Sequence, residues 1–212
     1  RDAQESRGLG DVYKRQGVKK LSYSTSRDEV RKKYNIPPKA FVVSYVGRHN
    51  QVKGYDLLQE AAKLIWKYDP NVYFLVAGKE APLEGIKDNR WIEVGWTSDP
   101  GSIINASDLF VLPNRRTYFD LILLEVMSLG KAVLASNTGG NKHIARQTEG
   151  IILFENENIE QLSRTILELG VEKSYLESLS KKNLELYESY YTVEEFAKRY
   201  AKVYKEIEEE NS

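Results

Sequence analysis

Apolar residues in this chain gather into short continuous runs separated by amphipathic stretches. Phe41–Val46, Val72–Ala77, 91–94, Leu109–Leu112, 131–135 and Ile151–Phe154 each read as a strand, most of them closed by Gly or Pro. Between the first two, Leu57, Leu58, Ala61, Ala62, Leu64 and Ile65 share one helical face, with Asp56, Gln59, Glu60 and Lys63 interleaved. Further helices are predicted around 103–106, over 121–129 with Gly130 closing it, and through Ile159, Leu162, Ile166 and Leu169. Strands that are apolar throughout, alternating with helices, predict an α/β domain: a Rossmann-like parallel sheet with helices on both faces. In such sheets ligands sit beyond the C-terminal ends of the strands, where the strand order reverses. Gly47, Gly78, Gly95 and Pro113 mark those ends.

From Lys173 onward the chain reads as helical and carries no evident chemistry. Thr192-Val193-Glu194-Glu195 has capping-box spacing and opens a helix through Phe196, Tyr200 and Val203. Its Tyr-rich apolar face predicts packing on the domain's own sheet, the alternative being a further domain.

Two stretches carry candidate chemistry. Gly47-Arg48 ends the first strand and leads to Lys53-Gly54 just before the first long helix. Two cations in a strand-to-helix turn, beside free backbone N–H groups and the positive end of a helix dipole, make an anion site. The alternative is a pair of solvated loop charges. Downstream, Pro113 ends a strand, a polar loop follows, and Glu125 is the one charge inside the apolar helix 121–129. A lone acid there costs free energy unless it finds partners. Vicinal hydroxyls, as on a ribose, would supply two donors; an exposed position on the helix is the alternative. Thr138-Gly139-Gly140 predicts a flexible turn where backbone could approach a ligand closely.

Composition changes the picture mainly by exclusion. Ser6–Gln16, ending Asp11-Val12-Tyr13-Lys14-Arg15-Gln16, resembles the in-frame translation of a transposase sequencing adapter, so 1–16 are set aside as a scar, the alternative being a genuine flexible N-terminus. In 17–212, 27 Lys and Arg face 28 Asp and Glu, a balance that argues against a general nucleic-acid binder. With no cysteine there is no disulfide framework, thiol nucleophile or zinc–thiolate site. No apolar run approaches the roughly 20 residues a membrane-spanning helix needs.

Taken together, these residues resemble the C-terminal, donor-binding domain of the family 4 retaining glycosyltransferases of GT-B fold, the glycosyl transferases group 1. The resemblance rests on Val46-Gly47-Arg48 with Lys53-Gly54, Val76-Ala77-Gly78, Gly95, the run 106–113, Phe119 with Leu121, the run 124–130, and Gly139-Gly140. It implies that 17–212 is one half of a two-domain enzyme whose N-terminal acceptor domain is missing. Arg48 and Lys53 would be catalytic, holding the donor's diphosphate and stabilising the leaving nucleoside diphosphate in place of a metal. No cofactor and no metal are therefore expected. Gly47 and the backbone N–H groups of Leu121, Ile122 and Leu123 would complete the phosphate site, and Glu125 would bind ribose hydroxyls.

The implied reaction moves a hexosyl or N-acetylhexosaminyl group from a UDP- or GDP-sugar to an acceptor hydroxyl on a glycan or lipid-linked molecule. It passes through an oxocarbenium-like state with retention, in polysaccharide or glycoconjugate synthesis. The resemblance also implies a cytoplasmic setting, with room for peripheral association of the full-length protein at the inner face of the membrane. The present chain alone is expected to bind donor weakly and transfer nothing.

The chain departs from the family where it matters for the sugar. The family's Glu-x7-Glu has Thr117 in its first position, and Glu-Gly-Phe-Gly reads Thr117-Tyr118-Phe119-Asp120. Asp120 is the candidate to take over the sugar contact, with Thr117 beside it, the alternative being a different sugar contact altogether. His143 stands where a carboxylate is common, and it and His49 are expected to be ordinary residues rather than catalysts. Two other readings remain: a non-catalytic GT-B partner subunit, for which the missing first Glu speaks, and a sugar-nucleotide epimerase on the same fold.

Overall fold

The computed structural model describes residues 17–79 and 81–210; the adapter-like segment 1–16 lies outside them. Six strands form one fully parallel sheet: β1 (Phe41–Val46), β2 (Val72–Ala77), β3 (Trp91–Gly95), β4 (Leu109–Leu112), β5 (Ala132–Ser136) and β6 (Ile151–Phe154). Their spatial order is β3-β2-β1-β4-β5-β6. This is the doubly wound Rossmann-like order, and the chain reverses direction across the sheet between β1 and β4.

Side-chain alternation along each strand sorts the core onto two faces. Val43, Tyr45, Phe74, Val76, Leu109 and Leu134 point to one face, under α2 (Tyr55–Ile65) and α6 (Ile159–Val171). On the other face, Val42, Leu75 and Ala77 meet α1 (Arg27–Lys33) and α3 (Pro100–Ala106). Phe110, Leu112, Val133 and Ala135 of that face pack against α4 (Leu121–Ser128) and α5 (Gly139–Ala145).

The tail folds back onto this body. Leu176 and Leu179 of α7 (Lys173–Leu186) join the first face, while Tyr187 and Tyr191 of a π-helical turn, Tyr187–Tyr191, enter the second. Both tyrosines precede the helix through Phe196 and Tyr200, whose own face meets the π-helical turn rather than the sheet, with Phe196 half-buried and Tyr200 exposed. Helix α8 (Val193–Glu210) follows; the Glu195 N–H donates to Thr192 Oγ1 at 3.2 Å, one half of the predicted capping box. No helix among the described residues is long and apolar enough to cross a membrane.

Three elements differ from the sequence reading. Helix α1 was not predicted; its Ser26–Glu29 capping box is present, with the Ser26 N–H 3.0 Å from Glu29 Oε2. Helix α3 starts at Pro100, behind an Asp99 N-cap. The glycine pair opens α5 rather than a free turn: a Cβ on Gly139 would stand 1.7 Å from the Thr117 carbonyl oxygen, and one on Gly140 would stand 2.7 Å from that of Tyr118. The glycines let the start of α5 approach the protein's own 117–118 backbone closely.

Candidate functional site

The chain leaves β1 at Gly47 and runs through Arg48 to Lys53 before α2 begins. Gly47 N–H donates to the Ala77 carbonyl at 2.9 Å, and the hydroxyl of Tyr45 donates to the Arg48 carbonyl at 2.7 Å. Burial, with Asp120, Asp56 and Glu93 adding to it, pushes the Tyr45 phenol well above its ordinary value, so it stays a neutral donor. The Arg48 guanidinium is exposed and has no ion pair among the described residues. His49 takes the opposite direction. Its fully buried ring stacks on Tyr55, with centroids 4.1 Å apart, and Nδ1 is 3.8 Å from Glu93 Oε2. Glu93 also accepts from Trp91 Nε1 at 2.6 Å and from the Tyr55 hydroxyl. His49 therefore lies under the loop, away from the cleft.

From the other side of the reversal point, β4 delivers Pro113, Asn114 and the loop into α4. Asp120 is the N-cap of α4, yet its side chain makes no capping bond. Its carboxylate instead reaches across the gap: Oδ1 is 2.6 Å from Lys53 Nζ, and Oδ2 accepts from the Asn114 side-chain amide. The first N–H groups of a helix have no intrahelical partner. Leu123 N–H turns back to the Asp120 carbonyl at 3.0 Å, and those of Leu121 and Ile122 precede the first intrahelical bond. The Leu123 side chain itself is core.

Gly47, Arg48, Lys53, Asp120 and Ile122 line one hollow of about 510 Å³, with Tyr45 and Asn114 among its walls. It lies at the β1/β4 reversal, where the fold predicts a ligand. Thr117, Leu121 and Glu125 stand outside that hollow. Thr117 is half-buried, with its carbonyl against Gly139. Glu125 is one turn along α4 from Leu121 and Ile122 on the helix's less buried stripe, with no ion pair among the described residues, and burial raises its carboxyl pKa.

One residue essential to this geometry escaped the sequence reading. Arg115 forks onto Asp56 at the start of α2, with NH1 and NH2 at 2.7 and 2.8 Å from its two oxygens. It also donates to the Gln51 carbonyl at 2.7 Å and to Glu157 Oε2 at 2.9 Å, while its N–H meets the Val52 carbonyl at 3.0 Å. Asp56 first, then Glu157, raise the guanidinium pKa further. Arg115 thus ties the 48–53 loop of one half to the β4–α4 loop of the other. Among the described residues, no group of three or more His, Asp and Glu side chains could hold a metal ion.

The family model described as glycosyl transferases group 1 matches residues 26–186. Over 168 residues the chain is 26% identical to the UDP-Gal:alpha-D-GlcNAc-diphosphoundecaprenol alpha-1,3-galactosyltransferase of Escherichia coli, covering 74% of this chain and 43% of that protein. Over 139 residues it is 30% identical to the alpha-D-kanosaminyltransferase of Streptomyces kanamyceticus, covering 60% of this chain and 36% of that one. The chain therefore spans less than half the length of these curated relatives. Among solved structures, Anabaena HepE in complex with UDP superposes with a TM-score of 0.79 at 18% identity, covering 90% of this chain and 56% of that one. That coverage is what one half of a two-domain GT-B fold should give.

Proposed function

The chain belongs to the glycosyl transferases group 1, and on that premise we propose that it is the donor-binding half of a retaining, metal-independent glycosyltransferase. The reaction moves a hexosyl or N-acetylhexosaminyl group from a UDP- or GDP-sugar to a glycan or lipid-linked acceptor, in polysaccharide or glycoconjugate synthesis. The observation that carries the reading is the convergence of Arg48, Lys53 and the open N-terminus of α4 on one hollow at the strand-order reversal. The diphosphate would lie between the two cations and the N–H groups of Leu121 and Ile122. As the bond from sugar to phosphate breaks, charge grows on the leaving diphosphate, and those fixed positive groups stabilise it. Asp120, with Thr117 nearby, faces the transferred sugar.

Glu125 would accept from the ribose hydroxyls, which requires its ionised form. Burial makes the folded protein hold that proton more tightly than the unfolded chain. Its contribution to stability is therefore present below the unfolded pKa and is lost as pH rises through the raised folded one. At pH 7 the unpartnered carboxylate is a cost. Glu125→Gln is thus expected to keep or raise Tm at pH 7 while weakening nucleotide binding about tenfold, or 1.4 kcal/mol. Calorimetric titration with UDP, GDP and ADP checks this, and the nucleotide that saturates identifies the donor class. Equal affinity in native and Glu125→Gln chains would remove Glu125 from the site.

Arg115 touches no substrate in this reading and acts as a positioning residue. Arg115→Gln is expected to lower Tm by about 3 °C, the effect of roughly 1 kcal/mol in a domain of this size, and to weaken nucleoside diphosphate binding about fivefold. A lowered Tm with unchanged affinity would leave it a purely structural clamp. Thr117 in place of the family's acid favours one competitor, a non-catalytic partner subunit. Transfer or hydrolysis of a nucleotide sugar by the full-length protein decides against it.

A further inference from the structure

The opposite end of the sheet holds a second hollow, of about 500 Å³, where β1, β4 and β5 begin. Its charged lining is Arg27, Arg31, Lys39, Lys131 and Lys173 against Asp108 and Glu177. The whole chain has no net charge, so this local excess of cations is segregation rather than general basicity.

Part of that charge is structural. Arg27 and Arg31 reach the two oxygens of Asp108 at 2.5 and 2.8 Å, and Arg31 also caps the end of α3 through the Ala106 carbonyl at 2.9 Å. Asp108 is then fully engaged, since it also accepts from the Val42 N–H at 2.8 Å. Lys131 is left with no carboxylate. Its ammonium donates to two neutral carbonyls, those of Asn105 at 2.8 Å and Ser107 at 3.0 Å. Burial first, then Arg27 and Arg31, bring its pKa down to about 8. Burial leads that shift, and Asp108 offsets part of what the two arginines add.

The remaining wall is the first two turns of α7, where Lys173, Leu176, Glu177 and Ser180 face the hollow at helical spacing. That helix begins without a side-chain cap at Glu172, where α6 ends, so helix ends of opposite partial charge meet at this wall. The Ser180 hydroxyl oxygen accepts from the Ala132 N–H at 3.0 Å and keeps its own proton to donate. Lys39 and Lys173 are exposed at the rim. Two rim ammoniums and a part-buried ammonium, beside two guanidiniums that share one carboxylate, together suit a ligand with several negative oxygens.

We infer that this hollow is a second anion site, distinct from the donor cleft, which binds a polyvalent oxyanion of the phosphate class. It does not depend on the glycosyltransferase reading. The test is calorimetric titration of inorganic pyrophosphate, at low salt, into the chain carrying Lys53→Ala, so that the donor cleft is weakened. One saturable site is expected, weakened at least about tenfold when Lys39→Glu and Lys173→Glu are added, with thermal melts confirming that each variant is folded. Sedimentation with phosphatidylglycerol vesicles distinguishes the source. Co-sedimentation lost in the Lys39→Glu/Lys173→Glu chain marks a lipid headgroup; pyrophosphate binding without co-sedimentation marks a free ligand. Saturation with neither probe, or binding that the two rim substitutions do not change, overturns the inference.

Discussion

Lys53→Ala is expected to weaken nucleoside diphosphate binding about thirtyfold, whereas Asp120→Asn is expected to strengthen it. Both follow from the 2.6 Å pair between Lys53 Nζ and Asp120 Oδ1. A diphosphate entering the cleft meets two cations, Arg48 and Lys53, and one acid, Asp120. At about 5 Å and an effective dielectric constant near 20, each unit-charge pair is worth roughly 3 kcal/mol before solvent and salt reduce it. Removing Lys53 deletes one attraction and also leaves Asp120 uncompensated beside the ligand. The two effects share a sign, so a net loss of about 2 kcal/mol is a conservative expectation.

Asp120→Asn removes the repulsion and frees Lys53 for phosphate. The gain should be plain with UDP or GDP, and smaller with the matching nucleotide sugar, because the sugar loses an acceptor. Calorimetry at two salt concentrations checks both. Affinity for the Lys53→Ala chain within twofold of native would move the diphosphate elsewhere. Weaker binding of the free nucleotide to the Asp120→Asn chain would make that carboxylate a ligand-ordering group rather than a competitor.

This pair also marks where the sequence stopped being readable. The strands were legible because a parallel sheet is buried on both faces, so β1, β2, β4 and β6 are apolar runs with the bounds read from the sequence. The reversal between β1 and β4 has no local signature: Gly47, Gly78, Gly95 and Pro113 mark strand ends without saying between which of them the order turns. Helix α1 was missed because of its seven residues only Val30 and Arg31 are buried, which gives no periodic apolar face. The signal was there in Ser26-x-x-Glu29, a capping box like the one recognised at Thr192. Helix α5 was missed because two glycines disfavour a helix locally, and buried Gly140 and Ile144 override that preference through packing.

In the site, the residue types were legible and their partners were not. Asp120 was readable as an acid beside the sugar position, but its grip on Lys53, 67 positions away, is a purely tertiary fact. Arg115 sits in a loop without periodicity, and nothing in its neighbours announces Asp56 or Glu157. Loop residues acquire their roles from what the fold brings opposite them.

Gly54→Ala is expected to lower stability by about 4 kcal/mol, a fall in Tm of roughly 12 °C for a domain of this size. Gly54 is the N-cap of α2, with φ at +67°, in the left-handed region that favours glycine. That conformation alone costs an L side chain about 1 kcal/mol. The larger part is contact: a Cβ would stand 1.7 Å from the Pro113 carbonyl oxygen, which belongs to backbone at the end of β4 and cannot rotate away. Relief requires moving either the start of α2 or the exit of β4, and those two segments meet where the halves of the cleft join.

Gly95 separates the two contributions. Its φ of +75° is equally unfavourable, but a Cβ there would have nothing within 4 Å. Gly95→Ala should therefore cost only about 1 kcal/mol, or some 3 °C. Thermal melts of both variants read the difference directly, and equal losses would show that the Pro113 contact is not the constraint. If the difference holds, the glycine beside Lys53 is required by the packing of two backbones, and the lysine's place in the cleft is set by that crossing.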